Sequence, residues 1–427
     1  MKIEVLSRDP SVLFRDSSQK IHKLPRNYSA DQHPFQQEQG HNDTVQRVEP
    51  HPYSVSTFLS SSSSGEFIIW NLAQRRLICK VQAHRGSSTG LGISPNGEII
   101  ASCGADSILA LYKLDLEATV ADEAFPSLEV TRKLQSAPNS LDHLRASNSQ
   151  EMVVCVGTSL ELWSHLRADP LHRWEWGNSP MLHTRCSPVE KNLVGVATHS
   201  RALLLIDTRQ PQPLRKMTLE LRPNAISWNP QEAPRFVLAC EDYNLYSWDM
   251  RKLSSAVFVH KGHTSAVLDV NFHNSGREFA SASYDRTVRL WECNSSSSRE
   301  VYHTQRMQRV SGVRYSLDGR YVISASDEMN LRLWKARADD KIAIMSQREK
   351  DSLNYNERLI KSYKNHPEIR KIIRHRHLPK HVYNAKKELK IINDALKRKE
   401  ENRRKHSQQN TYPHIAEQVK HVIGEDE

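Results

Sequence analysis

A histidine, an aspartate and two serines lie close together in this 427-residue chain: His263, Ser281, Ser283 and Asp285, with Trp291 just beyond. These are the residue types of a nucleophilic triad, in which a histidine takes the serine proton and a carboxylate orients the imidazole. Their surroundings argue for a different role. Gly262-His263 opens the stretch; Val267, Leu268 and Val270, then Phe279, Ala280 and Ala282, then Val288, Leu290 and Trp291 supply three short apolar runs, with a turn at Asp285-Arg286. Runs of this length with period two, bounded by turn residues, are β-strands. Polar groups trapped between such strands must bond to one another. His263, Asp285, Trp291 and its later counterpart Trp334 are therefore read as structural.

A second set of side chains offers charge. Arg370, Lys371, Arg374, His375, Arg376, His377 and Lys380 form one cluster, and Lys397, Arg398, Lys399, Arg403, Arg404 and Lys405 a second. Lysine and arginine at this density neutralise phosphates and release counterions, the sequence-independent part of nucleic-acid binding. The second cluster alone reads equally as a solvated helix face or a nuclear-import signal; both clusters together, beyond a closed domain, read as an arm lying on RNA. His375, His377 and His381 lack the spacing and the Cys or carboxylate neighbours of a zinc site, so neither a metal nor a cofactor is expected.

Trp248-Asp249-Met250-Arg251 and Ile206-Asp207-Thr208-Arg209 make a third set. Asp249 with Arg251, and Asp207 with Arg209, follow a strand end and so lie on one rim, either available to a partner or paired with each other. The chain has no Gly-rich phosphate loop, GxSxG elbow, HExxH helix or paired-cysteine site, which argues against an enzyme.

The elements that position these residues follow from a repeat. Third-strand ends fall at Trp70, Tyr112, Trp163, Ile206, Trp248, Trp291 and Trp334, at intervals of 42, 51, 43, 42, 43 and 43 residues. A WD repeat has a period of about 40 to 45 residues and four strands. Seven marks predict an all-β, seven-bladed WD-repeat β-propeller over 40–336. Only the 51-residue interval needs an insertion, an acidic loop around Asp115, Glu117, Asp122, Glu123 and Pro126. The Gly-His, Ser, Asp and Trp set is complete in blade six; blades three to five lack most of it and must rely on packing. Residues 1–39 read as an extended N-terminal arm. Propellers close by pairing an N-terminal strand with the last blade, and either Phe35 to Gln39 or Lys2 to Leu6 has to supply it.

Beyond Trp334 the period changes. Val382, Ala385, Leu389, Ile392 and Leu396 recur at 3 and 4, with Lys386, Lys387, Lys390 and Lys397 on the opposite face, as in an amphipathic helix. A weaker helical pattern covers Gln347 to Tyr363, and Pro367 marks a break between the two. Residues 337–406 thus form a basic helical extension, and 407–427 read as a disordered tail. Of 60 Lys or Arg and 49 Asp or Glu, 21 and 12 lie from Lys341 onward, so the basic excess sits in the extension. Six cysteines are scattered singly and read as reduced core thiols of a cytosolic or nuclear protein. No run approaches the ~18 apolar residues of a membrane span, and the first residues lack a secretory h-region.

The late blades and the extension together resemble a known family. EDYNLYSWDMR (241–251), SREVYHTQRMQRV (298–310), SDEMNLRLWKA (326–336), SQREK (346–350) and IIRHRHLPKHVY (372–383) are similar to the signature stretches of WD-repeat proteins with a Sof-type C-terminal domain; LSRDP, PRNY and HPF resemble that family's N-terminal arm. The resemblance implies a non-enzymatic scaffold of the nucleolar small-subunit processome, which works on pre-ribosomal RNA beside a small nucleolar RNP and other processome proteins. It also implies, for some members, a substrate receptor docked on the adaptor of a cullin-RING ubiquitin ligase through a WDxR-type motif, here Asp249 and Arg251, with Asp207 and Arg209 as a second copy.

Overall fold

The computed structural model describes residues 4–6, 40–73, 76–114, 126–145, 151–338, 346–374, 377–408 and 411–426. All of the N-terminal arm but 4–6, most of the acidic loop, His375 and Arg376 lie outside the described residues, as do the side chains of 372–374. Seven antiparallel sheets form a seven-bladed β-propeller, followed by helices. Blade six consists of Val267–Phe272, Glu278–Ser283, Val288–Glu292 and Ser298–Tyr302, numbered outward from the axis. Every closing residue marked by the repeat ends or nearly ends the third strand of its blade.

A single four-stranded sheet leaves two apolar faces, and the buried residues show how they are covered. They group into seven clusters, one at each interface between successive blades: for example Ala280, Leu290, Val313 and Trp334 between blades six and seven, and Val48, Trp70, Ile323 and Leu333 between seven and one. The propeller therefore has seven small cores, which is how it grows past the size at which a single core stops. The turn between second and third strands holds a left-handed residue in every blade. Gly65 (φ 82°) and Gly157 (φ 56°) supply it without a Cβ; Ser107, Arg201, Tyr243, Arg286 and Met329 adopt φ between 60° and 70°.

The polar set of blade six is assembled as expected, through Ser281 and not Ser283. His263 Nδ1 bonds Asp285 at 2.9 Å, His263 Nε2 bonds Ser281 Oγ at 2.7 Å, and Trp291 Nε1 donates to the same hydroxyl at 2.8 Å. Burial alone would raise the Asp285 carboxyl, but His263 and Arg289 hold it well below the usual carboxylate range. Ser60 plays the Ser281 part toward His41 and Trp70 in blade one. In blade five Leu238 occupies the equivalent position, and Trp248 Nε1 is buried with no partner among the described residues.

Closure uses the earlier of the two candidate N-terminal strands. Glu4–Leu6 pairs with Leu331–Lys335 in register Glu4↔Arg332, Val5↔Leu333, Leu6↔Trp334, running parallel where the outer strands of the other blades are antiparallel. Phe35 to Gln39 lies outside the described residues.

The chain end departs from expectation. Within 407–427, read from composition as disordered, α4 (Glu417–Lys420) leads into a strand, Val422–Asp426, which pairs antiparallel with Arg215–Leu219 as a fifth strand of blade four. Composition misses this because an exposed sheet edge satisfies an added strand through its backbone, whatever the side chains are.

Two predictions follow from the buried polar groups. Ser281→Ala leaves His263 Nε2 and Trp291 Nε1 without partners, and the urea midpoint should fall by the equivalent of about 2–4 kcal/mol. His143 and His165 stack at 5.6 Å, with no ring nitrogen partnered among the described residues. Burial pushes them down to about 3 and about 4. The unfolded chain therefore binds the extra protons, so this contribution is whole above pH 6.5 and is lost as pH falls from there towards 4. Asp269, which burial raises to about 6, works in the opposite sense. The histidine part is therefore read as a difference: the slope of urea midpoint against pH between 5 and 6.5 should be shallower in His143→Leu than in the parent.

Candidate nucleic-acid interface and docking rim

The extension leaves the propeller after blade seven as α1 (Gln347–Tyr363), α2 (Pro367–Arg374) and α3 (Lys380–His406). A capping box starts α1: Ser346 Oγ accepts from the Glu349 amide, and Glu349 reaches back to the Ser346 amide. No residue of α1 is buried. Pro367 does not merely interrupt a helix but opens α2, where its missing N–H costs nothing.

Helix α3 meets the propeller directly at its first turns. Val382 is fully buried, His381 Nε2 lies 3.4 Å from the Asp285 carbonyl oxygen, and just before the helix His377 stacks on His303 with ring centroids 5.3 Å apart. The anchor is thus blade six, at the turn that carries Asp285. Along the apolar stripe Ala385 and Leu389 are half-buried, while Ile392 and Leu396 are exposed. Most of the helix stands clear of the sheets.

The basic residues singled out from the sequence are placed as follows. Arg370 and Lys371 are exposed on α2; the side chain of Arg374 and all of Arg376 lie outside the described residues. Lys380 opens α3, and Lys397, Arg398, Lys399, Arg403 and Lys405 are exposed towards its end, with Arg404 half-buried. Seventeen residues of helix, about 25 Å, separate Lys380 from Lys397. The two clusters are therefore not one patch. Lys386, Lys387 and Lys390, exposed between them, join them; their helical spacing was the available signal. Arg403 lies over the Tyr412 ring at 5.8 Å, and the pairs Lys420–Glu400 (3.3 Å) and Lys397–Glu417 (4.0 Å) tie the end of α3 to the returning chain. Among the described residues no group of three or more His, Cys, Asp or Glu could hold a metal, and no helix is long and apolar enough to cross a membrane.

The two Asp-Arg turns follow the third strands of blades four and five. Their geometry differs. Arg209 grips Asp207 through two side-chain hydrogen bonds of 2.8 and 3.1 Å, and this pairing holds the Asp207 carboxyl below the usual range. Each Asp also accepts from the backbone amide of its arginine, at 3.0 Å in blade four and 2.9 Å in blade five, but the exposed Arg251 guanidinium has no partner among the described residues. The Arg251 turn is also held from behind. Arg215, on the outer strand of blade four, donates to the Arg251 carbonyl (3.2 Å) and pairs with Glu425 of the terminal strand (3.1 Å).

That brace recurs around the ring. Outer-strand side chains donate to carbonyls after the next blade's third strand: Arg132 to Ser164 and His165, Trp174 to Gln210, His260 to Ser295, and Tyr302 to Lys335. Sequence reading missed these braces, because neither partner is recognisable without the fold.

A Sof1-like domain model matches 336–422, which takes in all three helices and reaches the start of the terminal strand; WD-domain, G-beta-repeat models match 75–113, 254–292 and 299–335. Over 447 aligned residues the chain is 38% identical to a zebrafish (Danio rerio) protein and 37% identical to a human (Homo sapiens) protein, each alignment covering 99% of both chains. It is 33% identical to a Dictyostelium discoideum protein over 94% of this chain and 95% of that one. All three relatives are named DDB1- and CUL4-associated factor 13. At that identity over essentially the full length, the chain belongs to the DDB1- and CUL4-associated factor 13 family of WD-repeat proteins with a Sof1-like C-terminal domain.

Proposed function

We propose that this protein is a non-enzymatic scaffold in nucleolar assembly of the small ribosomal subunit, where its blades hold other processome proteins and its basic helices contact pre-ribosomal RNA beside the small nucleolar RNP. The observation that carries the reading is α3. It is anchored on blade six by Val382 and His381 and presents Lys and Arg, all exposed but the half-buried Arg404, from Lys380 to Lys405 of a 27-residue helix. Basic groups that outnumber their acidic partners and stay largely in solvent, on a helix attached to a folded domain, suit a polyanion. Gradient sedimentation of the full chain tests this, together with ultraviolet crosslinking. Co-sedimentation with large pre-ribosomal particles and crosslinks within 370–405 are expected; their joint absence would overturn the reading.

A second role rests on the rim. The relatives are named for association with DDB1 and CUL4, and Arg251 offers an unpaired guanidinium on a turn braced by Asp249 and Arg215. We propose that this turn docks the adaptor of a cullin-RING ligase. Arg251→Glu should abolish co-purification with DDB1 while sedimentation with pre-ribosomal particles persists. Arg209→Glu should cost less, because Arg209 is already committed to Asp207. An undiminished DDB1 signal in Arg251→Glu removes this role.

A further inference from the structure

The charged side chains of α3 are ordered more narrowly than RNA binding in general requires. At about 100° per residue, Lys386, Lys390, Lys397 and Arg404 fall on one line along the helix, and Lys380, Lys387, Arg398 and Lys405 on the line beside it. Eight of the ten Lys and Arg of α3 thus share one sector of about 120°; only Lys399 and Arg403 lie outside it. Asp394 and Glu401 fall between the two lines, so the sector keeps a net charge of +6. The row runs from Lys380 to Lys405, about 37 Å along the helix. Val382 holds the helix at one end, and the Lys420–Glu400 and Lys397–Glu417 pairs hold it near the other.

The row is also nearly free of aromatic side chains. Its one exposed ring is Tyr383. Surfaces that hold single strands combine positive charge with aromatic platforms on which successive bases stack. A duplex needs no such platforms, since its bases are already stacked and its phosphates form a stiff lattice that a straight row of cations can follow. The major groove of A-form RNA is too deep and narrow for side chains to read, so recognition is by shape and backbone. Resting on the RNA reading above, we infer that α3 binds double-helical RNA, laying the Lys386 to Arg404 line and its neighbour along the phosphates without reading sequence.

The test uses the full chain and three labelled probes followed by fluorescence anisotropy over a range of KCl: a 20-base-pair RNA duplex, a scrambled duplex of the same length, and a 20-nucleotide single strand. Both duplexes should bind alike, at least about tenfold tighter than the single strand, with a slope of log K against log salt of about −4 to −6. Lys386→Glu/Lys387→Glu/Lys390→Glu should weaken duplex binding more than about tenfold and flatten the slope by about three. Lys350→Glu/Lys361→Glu, reversed on the exposed face of α1 and outside the row, should change both little; circular dichroism of each variant checks that the helices are retained. Single-strand binding as tight as duplex binding, or an off-row variant as damaging as the row variant, overturns the duplex inference while leaving RNA contact standing. Binding of none of the three probes at low salt overturns both.

Discussion

Everything in this molecule depends on one constraint, that no blade can cover its own two faces. The ring answers it twice, by apolar packing and by polar bonds between neighbouring inner strands. Asp142 accepts from the Cys186 amide, Ser227 from Phe272, and Asp269 from Val313; Asn139 and Asn224 donate to the carbonyls of Met181 and Val267. The last step returns to the first blade, where Arg314 bonds Glu49 at 3.1 and 3.2 Å and Ser311 donates to Val45. Closure is therefore made by packing and side chains as well as by the short N-terminal strand. Glu49 also takes Arg185, so one carboxylate links blades one, four and seven across the axis.

The same constraint sets up the rim. Outer strands, that of blade four excepted, have no further strand on their far side, and their side chains reach to the turn of the next blade. Those braces fix the backbone of the Asp-Arg turns and leave side-chain chemistry to local detail. Both carboxylates cap the backbone amide two residues on, but Asp207 also takes the Arg209 guanidinium, whereas Arg251 is left outward. Two copies of one motif consequently differ in what they can offer a partner.

The extension follows different physics. It has few apolar residues with which to buy burial, so it touches the propeller at points: Val382 on blade six at one end, and backbone pairing on blade four at the other. Between these contacts α3 keeps its charge in solvent. The last strand adds Glu425 beside Arg215, and so joins the far end of the extension to the turn that carries Arg251.

The propeller was legible in the sequence because its determinants are local and repeat. Trp291 and its counterparts recur at a fixed period, and His263, Asp285 and a nearby serine are close enough in the chain to predict their bonds. The helices of the extension were legible through period, and with them the basic row, since Lys386 and Lys397 are placed on one face by spacing alone. What tertiary structure decided involves partners far apart in sequence, or backbone groups that carry no residue signature. Glu4–Leu6 closing the last blade, Val422–Asp426 extending blade four, and Arg215 bracing Arg251 all belong to this class. A sheet edge accepts any strand and a carbonyl accepts any donor, so these contacts are chosen by proximity in the folded ring and not by the residue types that meet there.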